Sequence, residues 1–254
     1  MTAFIDTIHA SARIDLSHID AWVFDLDNTL YPAECNLFAQ MHVKMEAFIQ
    51  QRLGLSQEAA RRLHKDYYVR YGTALSGLMR ENAIEPGDFL DYVHDIDLAV
   101  VEANEALASA IAALPGKRYI FTNGSVKHAE NVMARLGVDG LFDAIFDIEA
   151  AAYTPKPHRE TYERFLGANA IAAKRAAMFE DLAHNLESAH ALGMTTVLVC
   201  SQAAWAEGEP EHMRPGRVGE RSAHVHHVTE DLTDFLGTVI TAAATHDDQR
   251  KMRP

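Results

Sequence analysis

The 254-residue chain carries 36 Asp and Glu against 23 Lys and Arg, a formal net charge of −13. Its 48% hydrophobic and 23% charged content is globular and excludes a disordered, collagen-like or repeat-array chain. The acidic balance excludes a sequence-independent binder of nucleic-acid polymers, which needs a basic footprint, but allows one nucleotide in a small, locally positive site.

In chain order, Asp6, His9, Arg13 and Asp15 interrupt the N-terminus, so no targeting segment is expected there. Ala21-Trp22-Val23-Phe24 predicts a short buried strand ending at Asp25. Helical patterns follow over Leu37 to Leu53, Gln57 to Tyr71, Ala74 to Asn82, a stretch after Pro86-Gly87, and Glu102 to Leu114. Pro115-Gly116 marks a turn before a second strand, Arg118 to Phe121, which ends at Thr122. A helix over Val126 to Leu136 stops at Gly137. A strand over Ala144 to Phe146 ends at Asp147, and a helix over Pro157 to Leu166 stops at Gly167. The strand Ala176 to Phe179 ends at Glu180-Asp181, the helix Leu182 to Leu192 stops at Gly193, and Thr195 to Val199 forms the next strand. A weaker strand, His224 to Val228, precedes the helix start Thr229-Glu230-Asp231.

Strands alternating with helices predict an α/β fold with a mostly parallel sheet covered on both faces. The stretch between the first two strands is too long for a loop, so 33–101 is expected to be an all-helical insertion over the end of the sheet. Segments 1–32 and 102–246 would form the core, and the polar 247–254 an irregular, disordered tail. The charge-free stretch Ser188 to Ala206 contains His190, Gly193 and Gln202 and reads as helix end, turn and strand, not a membrane span. The two cysteines, Cys35 and Cys200, cannot build a disulfide framework or a multi-cysteine zinc site. A reducing compartment follows, with the cytoplasm as the expected location and no membrane partner.

Polar residues stand at the strand tips, where open parallel sheets bind their ligands. Asp25 and Asp27 can divide a reaction, Asp25 attacking phosphorus and Asp27 moving a proton to the leaving oxygen and from the hydrolytic water. Asp25 and Asp181 would hold a Mg²⁺, a hard cation suited to carboxylates. Lys156, between Pro155 and Pro157, supplies a fixed positive charge. Thr122 would donate its hydroxyl to a phosphoryl oxygen, and Asn123-Gly124-Ser125 would offer backbone N–H groups. Asp147 is read as a cap or turn former.

Asp25-Leu26-Asp27-Asn28-Thr29-Leu30, Thr122-Asn123-Gly124, Pro155-Lys156-Pro157 and Glu180-Asp181, in that order, resemble the four motifs of haloacid dehalogenase-like hydrolases over roughly Asp20 to Phe235. The resemblance implies a Rossmann-like core with a helical cap inserted after the first strand. It implies Asp25 as nucleophile, Asp27 as acid/base and backbone-carbonyl ligand to Mg²⁺, Asp181 as a direct metal ligand and Glu180 behind it. Dehalogenases of this superfamily lack an acid/base at the position of Asp27, which favours phosphoryl chemistry. Leu182 departs from the small hydroxyl residue usual after the acidic pair, while Asn185 fits the pattern.

Tyr68 to Leu78, Phe89 to His94 and Leu30-Tyr31-Pro32 resemble pyrimidine 5′-nucleotidases of the same superfamily. That resemblance implies a nucleoside monophosphate, UMP or CMP, as substrate. Tyr68 and Tyr71 would offer flat surfaces to a base and His94 a donor to a ribose or base oxygen. Packing is the competing explanation for two tyrosines three residues apart. A broader phosphatase for sugar phosphates or phosphoglycolate, a phosphotransferase or phosphomutase, and a catalytically silent binding relative stay open, as does the oligomeric state. Most of the 14 histidines are read as surface or helix-end residues, with His224, His226 and His227 on an edge strand. Gly72 and Gly77 have P-loop spacing, but Leu78 replaces the lysine. Cys35 is read as a small packing residue.

Overall fold

The computed structural model describes residues 14–203, 214–219 and 222–251, with backbone alone over 243–251. Six parallel strands form one sheet: β1 (Ala21–Phe24), β2 (Lys117–Phe121), β3 (Ala144–Phe146), β4 (Ala176–Glu180), β5 (Thr195–Val199) and β6 (His227–Thr229). Their spatial order is β3-β2-β1-β4-β5-β6, so the direction of winding reverses between β1 and β4. In register, Phe24 lies between Ile120 on one side and Phe179 on the other.

All four residues of β1 are buried, as expected of a central strand covered on both faces. Alternation sorts the side chains between two apolar layers. Trp22, Phe24, Ile120, Phe179 and Val197 pack beneath α5 (Glu105–Ala113), α6 (Val126–Leu136) and α9 (Leu232–Lys251). Val23, Tyr119, Phe121, Met178 and Leu198 pack beneath α7 (Arg159–Ala168) and α8 (Leu186–Leu192). The Trp22 indole N–H donates to Pro115 O at 2.6 Å, which satisfies the one polar atom of that side chain.

Between β1 and α5 lie α1 (Leu37–Leu53), α2 (Gln57–Tyr71), α3 (Ala74–Asn82) and α4 (Pro86–Val93). They bury a third apolar cluster that includes Met41, Phe48, Tyr67, Leu78 and Phe89, joined from the core side by Ile148. The two glycines with P-loop spacing have packing duties. Gly72 ends α2 at φ 79°, and Gly77 lets α3 press on Tyr67, whose ring Cγ lies 2.3 Å from where a Cβ would stand.

Several elements differ from the sequence reading. The helix expected from Pro157 starts at Arg159, because Pro157 belongs to the tight turn in which His158 N–H donates to Pro155 O at 3.1 Å. The helix expected from Leu182 opens as a single 3₁₀ turn, Ala183–Asn185, before α8. The edge strand includes His227 but not His224 or His226. The His226 ring accepts the Thr196 N–H at 3.0 Å, and His224 Nε2 sits 2.8 Å from Ala183 O. The backbone of α9 runs to Lys251, past the point where an irregular tail is expected, while 252–254 lie outside the described residues. Among the described residues no helix is long and apolar enough to cross a membrane.

Candidate active site

Three neighbouring strands, β2, β1 and β4, end together and present their next residues at the winding reversal. The ladder continues one step beyond β1 and β2: Asp25 N–H donates to Phe179 O at 2.9 Å and Thr122 N–H to Phe146 O at 3.0 Å. Asp25, Thr122, Glu180 and Asp181 are all buried there. Lys156 arrives from the loop before α7, its backbone N–H donating to Asn123 Oδ1 at 2.8 Å. Its ammonium donates to Asp25 Oδ1 at 2.7 Å, Glu180 Oε2 at 2.6 Å and Phe121 O at 3.0 Å, which uses all three donors. Thr122 Oγ1 accepts Gly124 N–H at 2.9 Å, leaving its own hydrogen to donate. Asp147 caps as expected, accepting from Val126 N–H and Ala150 N–H.

Charge dominates this pocket. Burial, followed by the adjacent Glu180 carboxylate, pushes Asp25 up to about 8, with Lys156 pulling the other way. Burial and then Glu180 and Asp25 push Asp181 well above the usual carboxylate range. Burial disfavours the Lys156 ammonium, but Asp25 and Glu180 outweigh it and hold the group above its ordinary value. Ligand oxygens of Asp25, Glu180 and Asp181 lie within 4.8 Å of one another. Three hard-oxygen carboxylates against one lysine make a donor set that a divalent cation such as Mg²⁺ would relieve. Asn28 Oδ1, buried on the same cavity wall without a hydrogen-bond partner, is a further oxygen acceptor there.

Asp27 is held differently. Its Oδ1 accepts from Tyr31 OH at 2.6 Å and lies 2.8 Å from His128 Nε2. Burial raises its proton affinity, but His128 and Tyr31 together bring the carboxyl below its ordinary value. Oδ2 is left facing Gly124, where a Cβ would stand 3.8 Å away.

Above these groups is a cavity of about 120 Å³ whose helical wall is mostly apolar, including Phe38, Met41, Leu75 and Phe89. Tyr68 and His94 line it; Tyr71 does not. Tyr71 instead lines an adjoining cavity of about 400 Å³, which shares Tyr68, Asn123, Lys156, Leu182 and Asn185 with the first. Its hydroxyl donates to Glu81 and accepts from Arg70. His94 Nδ1 sits 3.1 Å from Ser125 Oγ, and burial and the adjacent His128 hold the ring down to about 3, so it is neutral.

Sequence reasoning missed His128 and the role of Tyr31. One signal could have found His128: it stands three residues after Ser125, in the first turn of a helix that starts at a functional strand tip.

Residues 19–193 match the model of the haloacid dehalogenase-like hydrolase family. Phosphate metabolism protein 8 of Saccharomyces cerevisiae is 28% identical over 194 residues, covering 69% of this chain and 60% of that protein's length. Among solved structures, CbbY from Rhodobacter sphaeroides in complex with phosphate superposes with a TM-score of 0.59 at 17% identity, over 87% of this chain and 99% of that one. L-2-haloacid dehalogenase from Xanthobacter autotrophicus superposes at 0.56 with 16% identity, over 87% and 98%. The matched segment spans more than half of the chain and carries Asp25, Asp27, Thr122, Lys156, Glu180 and Asp181, and on that ground the chain belongs to the haloacid dehalogenase-like hydrolases.

Proposed function

We propose that the protein is a Mg²⁺-dependent phosphomonoesterase that hydrolyses pyrimidine nucleoside 5′-monophosphates through a phosphoaspartate on Asp25. The observation that carries the phosphoryl chemistry is Asp27. A second carboxyl stands two residues from the nucleophile, tethered through one oxygen to Tyr31 and His128, with the other oxygen available to a reacting atom.

Asp25 attacks phosphorus, forming an O–P bond as the bond to the ester oxygen breaks. Asp27 passes its proton to that leaving oxygen through Oδ2. The incoming phosphate adds negative charge beside Asp27 and so raises its proton affinity for this step. A water molecule then attacks the phosphoaspartate, its proton returns to Asp27, and inorganic phosphate leaves with Asp25 restored. Lys156 keeps Asp25 aimed and offsets the charge of Glu180 behind it. The Thr122 hydroxyl is placed to donate to a phosphoryl oxygen. A bound Mg²⁺, held by Asp25, Asp181 and the Asp27 carbonyl, would supply the charge that lets a carboxylate approach a phosphate.

For the leaving group, Tyr68 and the apolar wall offer flat surface to a base. A broader phosphatase is the second reading, favoured by how few hydrogen-bonding groups that wall presents for telling one base from another. Phosphate release from UMP, CMP, dTMP, AMP, GMP, phosphoglycolate and a hexose phosphate, with and without a chelator, decides between them. Metal-dependent preference for the pyrimidine nucleotides is the expected result, and Asp25→Asn abolishes it. Activity independent of the base moves the assignment to the broader phosphatase. Unchanged turnover in Asp25→Asn overturns the mechanism.

A further inference from the structure

The Asp27 carboxyl sits in the turn after β1. Two donors gather on the same oxygen, Oδ1: Tyr31 OH at 2.6 Å and His128 Nε2 at 2.8 Å. Tyr31 lies four residues away on the same turn, but His128 comes from α6, 101 residues along the chain. Its side chain is 1% exposed, and its backbone N–H is capped by Ser125 Oγ at 3.3 Å.

One face of the His128 ring is covered from the inserted helices. His94, the C-cap residue of α4, stacks on it with ring centroids 4.3 Å apart and planes 11° from parallel. His94 Nδ1 lies 3.1 Å from Ser125 Oγ, the hydroxyl that caps His128. One turn earlier, Asp91 pairs with Lys127 at 2.8 Å, so Asp91 and His94 of the α4 segment meet Lys127 and His128 of α6. An unbroken line of contact runs from α4 through His94 and His128 to Asp27.

We propose that His128 is a positioning residue for Asp27, and that His94, stacked on it from the inserted helices, completes this position. This inference rests on the reading of Asp27 as acid/base made above. His94 accordingly acts on His128 rather than on the base or ribose.

The test compares two esters by kcat/KM, which reports transfer of the phosphoryl group to Asp25. p-Nitrophenyl phosphate leaves as a phenolate that needs little protonation, whereas UMP, or whichever alkyl phosphate is turned over best, needs an acid. His128→Phe keeps the stacked ring and removes the Nε2 contact. It is expected to lower kcat/KM for the alkyl ester about 100-fold, toward the lower end of what general acid catalysis contributes, and for p-nitrophenyl phosphate less than threefold. His128→Gln, which retains a donor, restores most of the loss, and His94→Ala shows the same selectivity at smaller size. Equal losses on both esters for the variants that melt like the parent overturn the proposal, since a merely structural role cannot tell leaving groups apart. Asp27→Asn run in parallel separates the two failures. If it too lacks leaving-group selectivity, the acid role itself is wrong. If it shows that selectivity and neither His128 variant nor His94→Ala does, only the positioning role is wrong.

Discussion

Replacing Lys156 by Met retains most of the side-chain volume but removes the cation that pairs with both Asp25 and Glu180. The ammonium lies 2.7 Å from Asp25 and 2.6 Å from Glu180, with 1% of its side chain exposed. Deleting one member of a buried ion pair costs about 3–5 kcal/mol, because the partner stays buried and uncompensated. At about 2–4 °C per kcal/mol for a chain of this size, the midpoint at pH 7 falls by roughly 6–20 °C. Thermal melting of metal-free protein at pH 7, followed by circular dichroism, measures this. Adding Glu180→Gln removes the stranded charge and restores most of the stability, while phosphate release stays lost. A single variant that melts within about 2 °C of the parent at pH 7, or a double variant no more stable than the single, refutes the reasoning.

Two further outcomes are expected. Gly77→Ala gains about 1 kcal/mol of helix propensity but drives a methyl to 2.3 Å from Tyr67 Cγ and 2.5 Å from its Cβ. Overpacking of about 2–3 kcal/mol outweighs that gain, so the midpoint falls by several degrees, and a rise would show that α2 and α3 separate at little cost. Burial and the neighbouring His42 hold His64 down to about 3, so the folded protein keeps this ring neutral. Only the unfolded chain takes up the proton as pH falls below about 6.5, and stability is therefore lost on that side at up to about 1.4 kcal/mol per pH unit. His64→Phe flattens this acid limb between pH 6.5 and 5, and parallel melting curves for variant and parent would assign the limb to other groups.

The strand tips, and with them most of the polar floor of the site, are legible in the order of residues along the chain. The apolar runs Ala21 to Phe24, Tyr119 to Phe121 and Ala176 to Phe179, closed by Asp25, Thr122 and Glu180-Asp181, are local patterns set by burial on both faces of a parallel strand. Helix limits were legible where a cap marked them, as at Ser125 and Gly137, and less so where side chains competed, as in the His224 to His227 segment. Which groups face one another is set by the packing of distant segments. The Lys156 contact to Asp25 spans 131 residues and the His128 contact to Asp27 spans 101, so neither partner can be read from spacing along the chain. Tyr68 and Tyr71 look equivalent in sequence, yet Tyr68 lines the inner cavity while Tyr71 lines only the adjoining one and bonds to Arg70 and Glu81. Periodicity reports which side of a helix is apolar. Which polar atom that side meets depends on how separate elements pack, and only the folded chain specifies it.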